Sequence, residues 1–172
     1  VLIGADDPEA MVRHTQECRD RGIAFAADPS QQIARMSGEE LKQLIDGAAY
    51  LFSNQYEAAL IEQKTGWDDA EIQRRVAVRV TTLGAEGVRI TRIAEDGSLD
   101  VLQVAPPKEE VRADPTGVGD GFRAGFLAGL SWDVSTERAA QVGCMLATLV
   151  IETVGPQEYD LTRGHFLVRV AT

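Results

Sequence analysis

The sequence predicts an α/β fold: a parallel sheet flanked by helices, running into an antiparallel strand meander and then two long helices. Two observations predict it. Short apolar runs alternate with segments of helical periodicity as far as residue 75, and parallel neighbours need such long crossovers. Three closely spaced strand-like segments with glycine at their reversals then follow, as antiparallel neighbours require.

Taken in order, VLIGA at Val1–Ala5 reads as a strand. Pro8 to Arg21 places Met11, Val12, Thr15 and Cys18 at helical spacing, behind an Asp7-Pro8 start and ahead of Gly22. Ile23–Ala27 is a second strand ending at Asp28-Pro29. Ser37-Gly38-Glu39-Glu40 opens a helix running through Ile45, and Ala49–Phe52 is a third strand. Helices follow at Ala58–Lys64 and Ala70–Arg75, then strands at Ala77–Leu83, Val88–Ile93 and Leu99–Val104. Reversals fall at Gly84-Ala85-Glu86-Gly87 and Asp96-Gly97. Beyond Pro106-Pro107 come helices at Gly117–Leu130 and Thr136–Thr153, with a shorter one expected near Gly164–Val170. Ligands of open sheets bind outside the carboxyl ends of the strands, which here are Asp28 and Ser53-Asn54.

A chain of 172 residues with 44% hydrophobic content can build one sizeable core. Its 27 acidic against 17 basic residues give a net charge of −10. That charge repels a nucleic-acid backbone and an anionic membrane surface, so neither is expected as a partner. Cys18 and Cys144 lack metal-ligand spacing and are expected as reduced thiols of a cytoplasmic protein. The apolar run Val142–Ile151 is too short to span a bilayer and reads as a buried helix. The chain starts at Val1, within a strand and without methionine, so the native start is expected to lie upstream.

Chemistry concentrates in Asp114–Asp120, read DPTGVGD, just where an amphipathic helix with Phe122, Phe126, Leu127 and Leu130 begins. Glycines there let a ligand approach the unpaired amides of the first helical turn, whose partial positive charge favours a phosphoryl group. A carboxylate in that turn, Asp120, would repel a phosphate merely held there. It suits a transfer in which a base takes the proton of an attacking hydroxyl while adjacent amides stabilise the moving group. The competing local reading has Thr116 capping the helix and Asp120 complementing its dipole. A Walker loop is excluded because no Gly-Lys pair occurs, and a dinucleotide fingerprint because Phe122 stands where glycine is required.

DPTGVGDGFRAGF resembles the D-T-x-G-A-G-D signature of the ribokinase-like (phosphofructokinase B type) carbohydrate and nucleoside kinases. Two further elements stand in the family's order. Asn54-Gln55-Tyr56-Glu57 resembles N-x-x-E, and Thr82-Leu83-Gly84-Ala85-Glu86-Gly87 resembles T-x-G-x-x-G. Within the family, FAADPSQQIARMSGEELKQLIDGAAYLFSNQYE, TLGAEGV and IETVGPQEY look most like bacterial adenosine kinases.

The resemblance implies a ribokinase-like fold, with residues 1–172 as the C-terminal nucleotide-binding and catalytic portion. It implies transfer of the ATP γ-phosphoryl group to the 5′-hydroxyl of adenosine, a purine-salvage reaction. Asp120 would be the base, and the amides of Gly117, Val118 and Gly119 the anion hole. Asn54, Thr82, Gly84 and Gly87 would bind nucleotide. Asn54 and Glu57 would organise Mg²⁺ through water, and Asp114 and Thr116 belong to a loop that in relatives holds K⁺. Bland readings stand beside these: a capping box for Asn54 and Glu57, a hairpin for Thr82–Gly87. Arg123 is read either as a phosphate contact or as a solvated helix residue. Cys144, Met145 and Leu149 are read either as lining an adenine pocket or as core.

Two departures matter. Gly121 replaces the usual alanine and is expected to loosen the helix start by up to about 1 kcal/mol. Family members are expected to be roughly twice this length, so the N-terminal half, with the lid and most acceptor contacts, is expected outside this chain. Alternative readings are a ribokinase- or fructokinase-type sugar kinase, and a nucleotide-binding module without turnover. A homodimer is compatible with either.

Overall fold

The computed structural model describes residues 1–162 of the chain, so the helix expected at Gly164–Val170 lies outside the described residues. The fold divides into two compact units. The first comprises residues 1–83 with 89–102, the second residues 84–88 with 103 onward.

The first unit follows the predicted alternation: β1 (Leu2–Ile3), α1 (Pro8–Asp20), β2 (Ala26–Ala27), a 3₁₀ turn at Ser30–Ala34, α2 (Gly38–Ile45), β3 (Tyr50–Asn54), α3 (Gln55–Thr65), α4 (Asp69–Arg75) and β4 (Val78–Thr82). β1 to β4 pair in parallel and in sequence order. β5 (Val88–Ile93) and β6 (Leu99–Val104) complete a six-stranded sheet in the order β1 to β6. The connections 83–87 and 94–98 are too short for a parallel crossover, so these last two strands add in antiparallel fashion, as the meander requires. β3 buries Leu51, Phe52 and Ser53 in succession, the mark of a parallel strand covered on both faces. Met11 and Cys18 of α1, Leu41, Leu44 and Ile45 of α2, and Ile61 and Ile72 of the following helices close over it as one apolar cluster.

The second unit is organised by α5 (Val118–Ser131) and α6 (Thr136–Ile151). Their contact is a seam of small residues. A Cβ on Gly125 would lie 2.8 Å from the Val142 carbonyl oxygen, one on Gly129 2.7 Å from Cα of Ala139, and one on Gly143 2.8 Å from the Phe122 carbonyl oxygen. Gly121 belongs to the same seam, since a Cβ there would meet Val150 at 2.9 Å. The glycine expected to loosen the helix start thus lets α5 approach α6. Backbones this close gain dispersion contacts along the whole seam, which fixes the direction of α5 and where its first turn points. Among the described residues no helix is long and apolar enough to cross a membrane.

Candidate active site

In the first unit the expected site residues Asn54, Glu57 and Thr82 lie at the carboxyl ends of β3 and β4. Asn54 ends β3 and is the register partner of Thr82, the last residue of β4. Two motifs that are 28 positions apart in sequence, 82 − 54, are therefore side by side. Asn54 is also the N-cap of α3: its Oδ1 accepts from the Glu57 amide at 2.8 Å, and the Asn54 amide donates to Glu57 Oε2 at 2.8 Å. The capping box is thus real. It does not compete with a water-mediated role, because it uses one oxygen of a Glu57 carboxylate that has two.

In the second unit the loop before α5 is pinned from behind. The amides of Ala113 and Asp114 donate to the Ile151 carbonyl at the end of α6, at 2.8 and 3.3 Å. Asp114 turns its carboxylate inward, accepting from the Thr116 amide at 2.9 Å and the Gly155 amide at 3.3 Å. The bonds from Thr116, and then that from Gly155, hold its carboxyl below the ordinary 3.8. Asp114 therefore shapes the loop.

Gly117 is the N-cap of α5, in the left-handed conformation at φ 80°, and no side chain caps the helix. The local alternative in which Thr116 caps it is thus corrected: the cap position falls one residue later, on glycine. A side chain at 117 would be strained, and its Cβ would lie 2.5 Å from Pro156. Among the described residues α5 is the exception. α1, α2, α3, α4 and α6 each begin with a side-chain oxygen, from Asp7, Ser37, Asn54, Asp68 and Ser135, on a first-turn amide. At α5 the first-turn amides include those of Val118, whose contact with the Pro115 carbonyl is a long 3.4 Å, and Gly119. Asp120 follows in the same turn with its side chain 86% exposed and Arg123 Nη1 at 3.2 Å from Oδ1.

Beside this turn lies a groove of about 270 Å³. Ala85, Pro106, Pro107, Val118, Ala147 and Ile151 wall it, and Gly84 borders it. Thr148 and the Glu109–Arg112 ion pair, at 3.1 Å, add the polar edge. Gly87 closes the preceding turn at φ 86°, where a Cβ would lie 2.0 Å from the Val104 carbonyl oxygen. The mostly apolar wall suits a flat heterocycle, and Val118 joins it to the uncapped turn.

This groove favours one of the two readings of α6. The face of α6 that lines it carries Ala147, Thr148 and Ile151, while Cys144 and Met145 are buried in packing. Leu149 is not among the lining residues. Burial pushes the Cys144 thiol up to about 12, so it is no nucleophile at neutral pH. The prolines and Ala85 were missed as site residues, and Val118 was read for its amide alone. Their only signal is apolar side chains in a stretch that is otherwise loop.

α5 is a glycine-headed, uncapped helix with an acid in its first turn and an apolar groove beside it, and the family model for pfkB family carbohydrate kinases matches residues 2–163. The chain belongs to this family. A nucleoside kinase of Methanocaldococcus jannaschii is 27% identical over 157 residues, covering 91% of this chain and 50% of that protein. Adenosine kinase 2 of Arabidopsis thaliana is 27% identical over 118 residues, covering 62% of this chain and 34% of its own length. The solved nucleoside kinase of Burkholderia thailandensis in complex with inosine superposes with a TM-score of 0.91 at 34% identity, over 98% of this chain and 55% of that one. The chain thus spans about half the length of these two nucleoside kinases and about a third of that adenosine kinase.

Proposed function

We propose that this pfkB-family chain carries the ATP-binding and catalytic part of a nucleoside kinase. It would transfer the γ-phosphoryl group of ATP to a 5′-hydroxyl, with adenosine as acceptor. The observation that carries the reading is the uncapped first turn of α5, with Asp120 exposed in it and the apolar groove beside it. The nucleoside assignment is supported by the nucleoside and adenosine kinases among its relatives.

In this reading the groove takes the adenine ring, with Gly84 and Gly87 shaping the turn at its border. The amides of Gly117, Val118 and Gly119 donate to the phosphoryl oxygens, where donors already in place stabilise charge without reorganising. Asp120 accepts the proton of the acceptor hydroxyl as it attacks. Asn54 and Thr82 bind nucleotide from the strand ends. Magnesium is compatible with the first-unit cluster, because Glu57 keeps one carboxylate oxygen outside its capping box to accept from the water shell that such an ion retains. Glu57 and Asn54 would hold it through water, and it would neutralise phosphate charge when bound. The Asp114–Thr116 loop would hold K⁺ through its carbonyls.

The test is phosphorylation by the full-length protein, with MgATP and adenosine, inosine, ribose or fructose in parallel. The expected product is AMP from adenosine. Turnover of a free sugar alone would replace the nucleoside assignment with a sugar kinase of the same family. Calorimetric binding of MgATP with no turnover of any acceptor would leave a binding module.

A further inference from the structure

We propose that Arg123 is the positioning residue of this site: its guanidinium clamps one oxygen of Asp120 and thereby aims the other at the acceptor hydroxyl. The proposal rests on the reading of Asp120 as base. Among the described residues Arg123 is more enclosed than the cation of the other ion pairs spaced i,i+3 along a helix or turn. In the Arg74–Glu71 pair at the end of α4, the arginine side chain is 58% exposed and the acid 25%. At α5 the order reverses: Arg123 is only 13% exposed while Asp120 is 86% exposed, with Nη1 3.2 Å from Oδ1. The enclosed partner is the fixed one, and the carboxylate standing in solvent is the one being held.

Gly119 supplies the second observation. A Cβ at 119 would lie 2.8 Å from Arg123 Nη1 and 3.7 Å from its Cζ. The guanidinium therefore occupies the space a side chain at 119 would fill. The glycine has two functions at once: its amide belongs to the uncapped turn, and its missing side chain admits the clamp.

The consequence for the reaction is directional. As the acceptor oxygen forms its bond to phosphorus and the bond to the ADP oxygen breaks, the hydroxyl proton passes to Oδ2 of Asp120. Arg123 keeps its own proton throughout and holds Oδ1. A carboxylate free to rotate would meet the hydroxyl in the productive geometry less often, and small misplacements of this kind cost up to about 100-fold in rate.

The experiment uses the full-length protein with MgATP and adenosine. Arg123→Gln should lower kcat about 10- to 100-fold while KM for both substrates changes less than about threefold, the signature of an interaction expressed in the transition state. Arg123→Lys should recover part of the loss. Gly119→Ala should also lower kcat by displacing the guanidinium, and the double variant should be no worse than the poorer single one, because both remove one contact. Thermal melts identify any variant that is merely unfolded, and Arg123→Lys then carries the comparison. Unchanged kcat in Arg123→Gln, additive losses in the double variant, or a rise in KM for MgATP at constant kcat would overturn the proposal; the last would make Arg123 a phosphate contact. Asp120→Asn separates the two readings. If that variant retains full turnover, the base assignment fails; if it is inactive while Arg123→Gln is normal, only the clamp fails.

Discussion

The starts of α3 and α5 carry the candidate chemistry and are built in opposite ways. α3 is closed by its own side chains, Asn54 and Glu57 exchanging bonds with each other's amides. α5 begins on a left-handed glycine with no side-chain cap, and its neighbouring acids are turned elsewhere, Asp114 to its loop and Asp120 toward Arg123. A capped helix end is complete without a ligand. An uncapped one leaves donors and the positive end of the dipole for something else to satisfy. Under the proposed function, the contrast gives stability first to Asn54 and Glu57, and transfer chemistry first to the turn from Gly117 to Asp120.

The largest effect should come from the open end. Asp120→Asn is expected to lower kcat about 10²- to 10⁴-fold with MgATP binding retained, measured by steady-state kinetics and calorimetry. If Asn54→Ala cost more turnover than this, the contrast would collapse. Gly125→Ala attacks the seam that directs the open end. Its Cβ would press on backbone at 2.8 to 2.9 Å, which cannot give way cheaply, so urea unfolding should show a loss of about 1–3 kcal/mol.

Asn54→Ala should remove the α3 cap at about 1 kcal/mol. It should also raise the Mg²⁺ concentration needed for half-maximal rate, if the residue reaches the ion through water; an unchanged requirement would leave Asn54 as a cap alone. The smallest effect belongs to Asp114. Its folded carboxyl is held below 3.8, so the stability it contributes is present above that value and is lost as pH falls through the lower folded one. Asp114→Asn should therefore destabilise the protein at neutral pH and flatten its loss of stability in acid, read from melting temperature against pH.

Much of the fold could be read from periodicity. Pro8 before Met11, Val12, Thr15 and Cys18 announced α1, and Ser37 with Glu40 announced the capping box that starts α2. β5 and β6 fell on the predicted residues because Gly84 to Gly87 and Asp96-Gly97 bracket them. The glycine seam was legible too, as Gly121, Gly125 and Gly129 spaced four apart opposite Ala139 and Gly143, but propensity reasoning weighs a helical glycine only as a local cost. The pairing of Asn54 with Thr82 was not legible, because strand register depends on how two helices pack between the strands.

What the sequence by itself determined is the family, the order of the elements, and which residues enter the Gly117–Asp120 turn, since residue type and spacing specify where a helix starts and which acid enters its first turn. Only the tertiary structure decided that this turn lacks a cap, that Ala147, Thr148 and Ile151 face the groove in place of Cys144 and Met145, and that Arg123 fills the space above Gly119. Those are properties of which face of a helix meets which neighbour. That is set by packing between segments distant in the chain, and no local pattern encodes it.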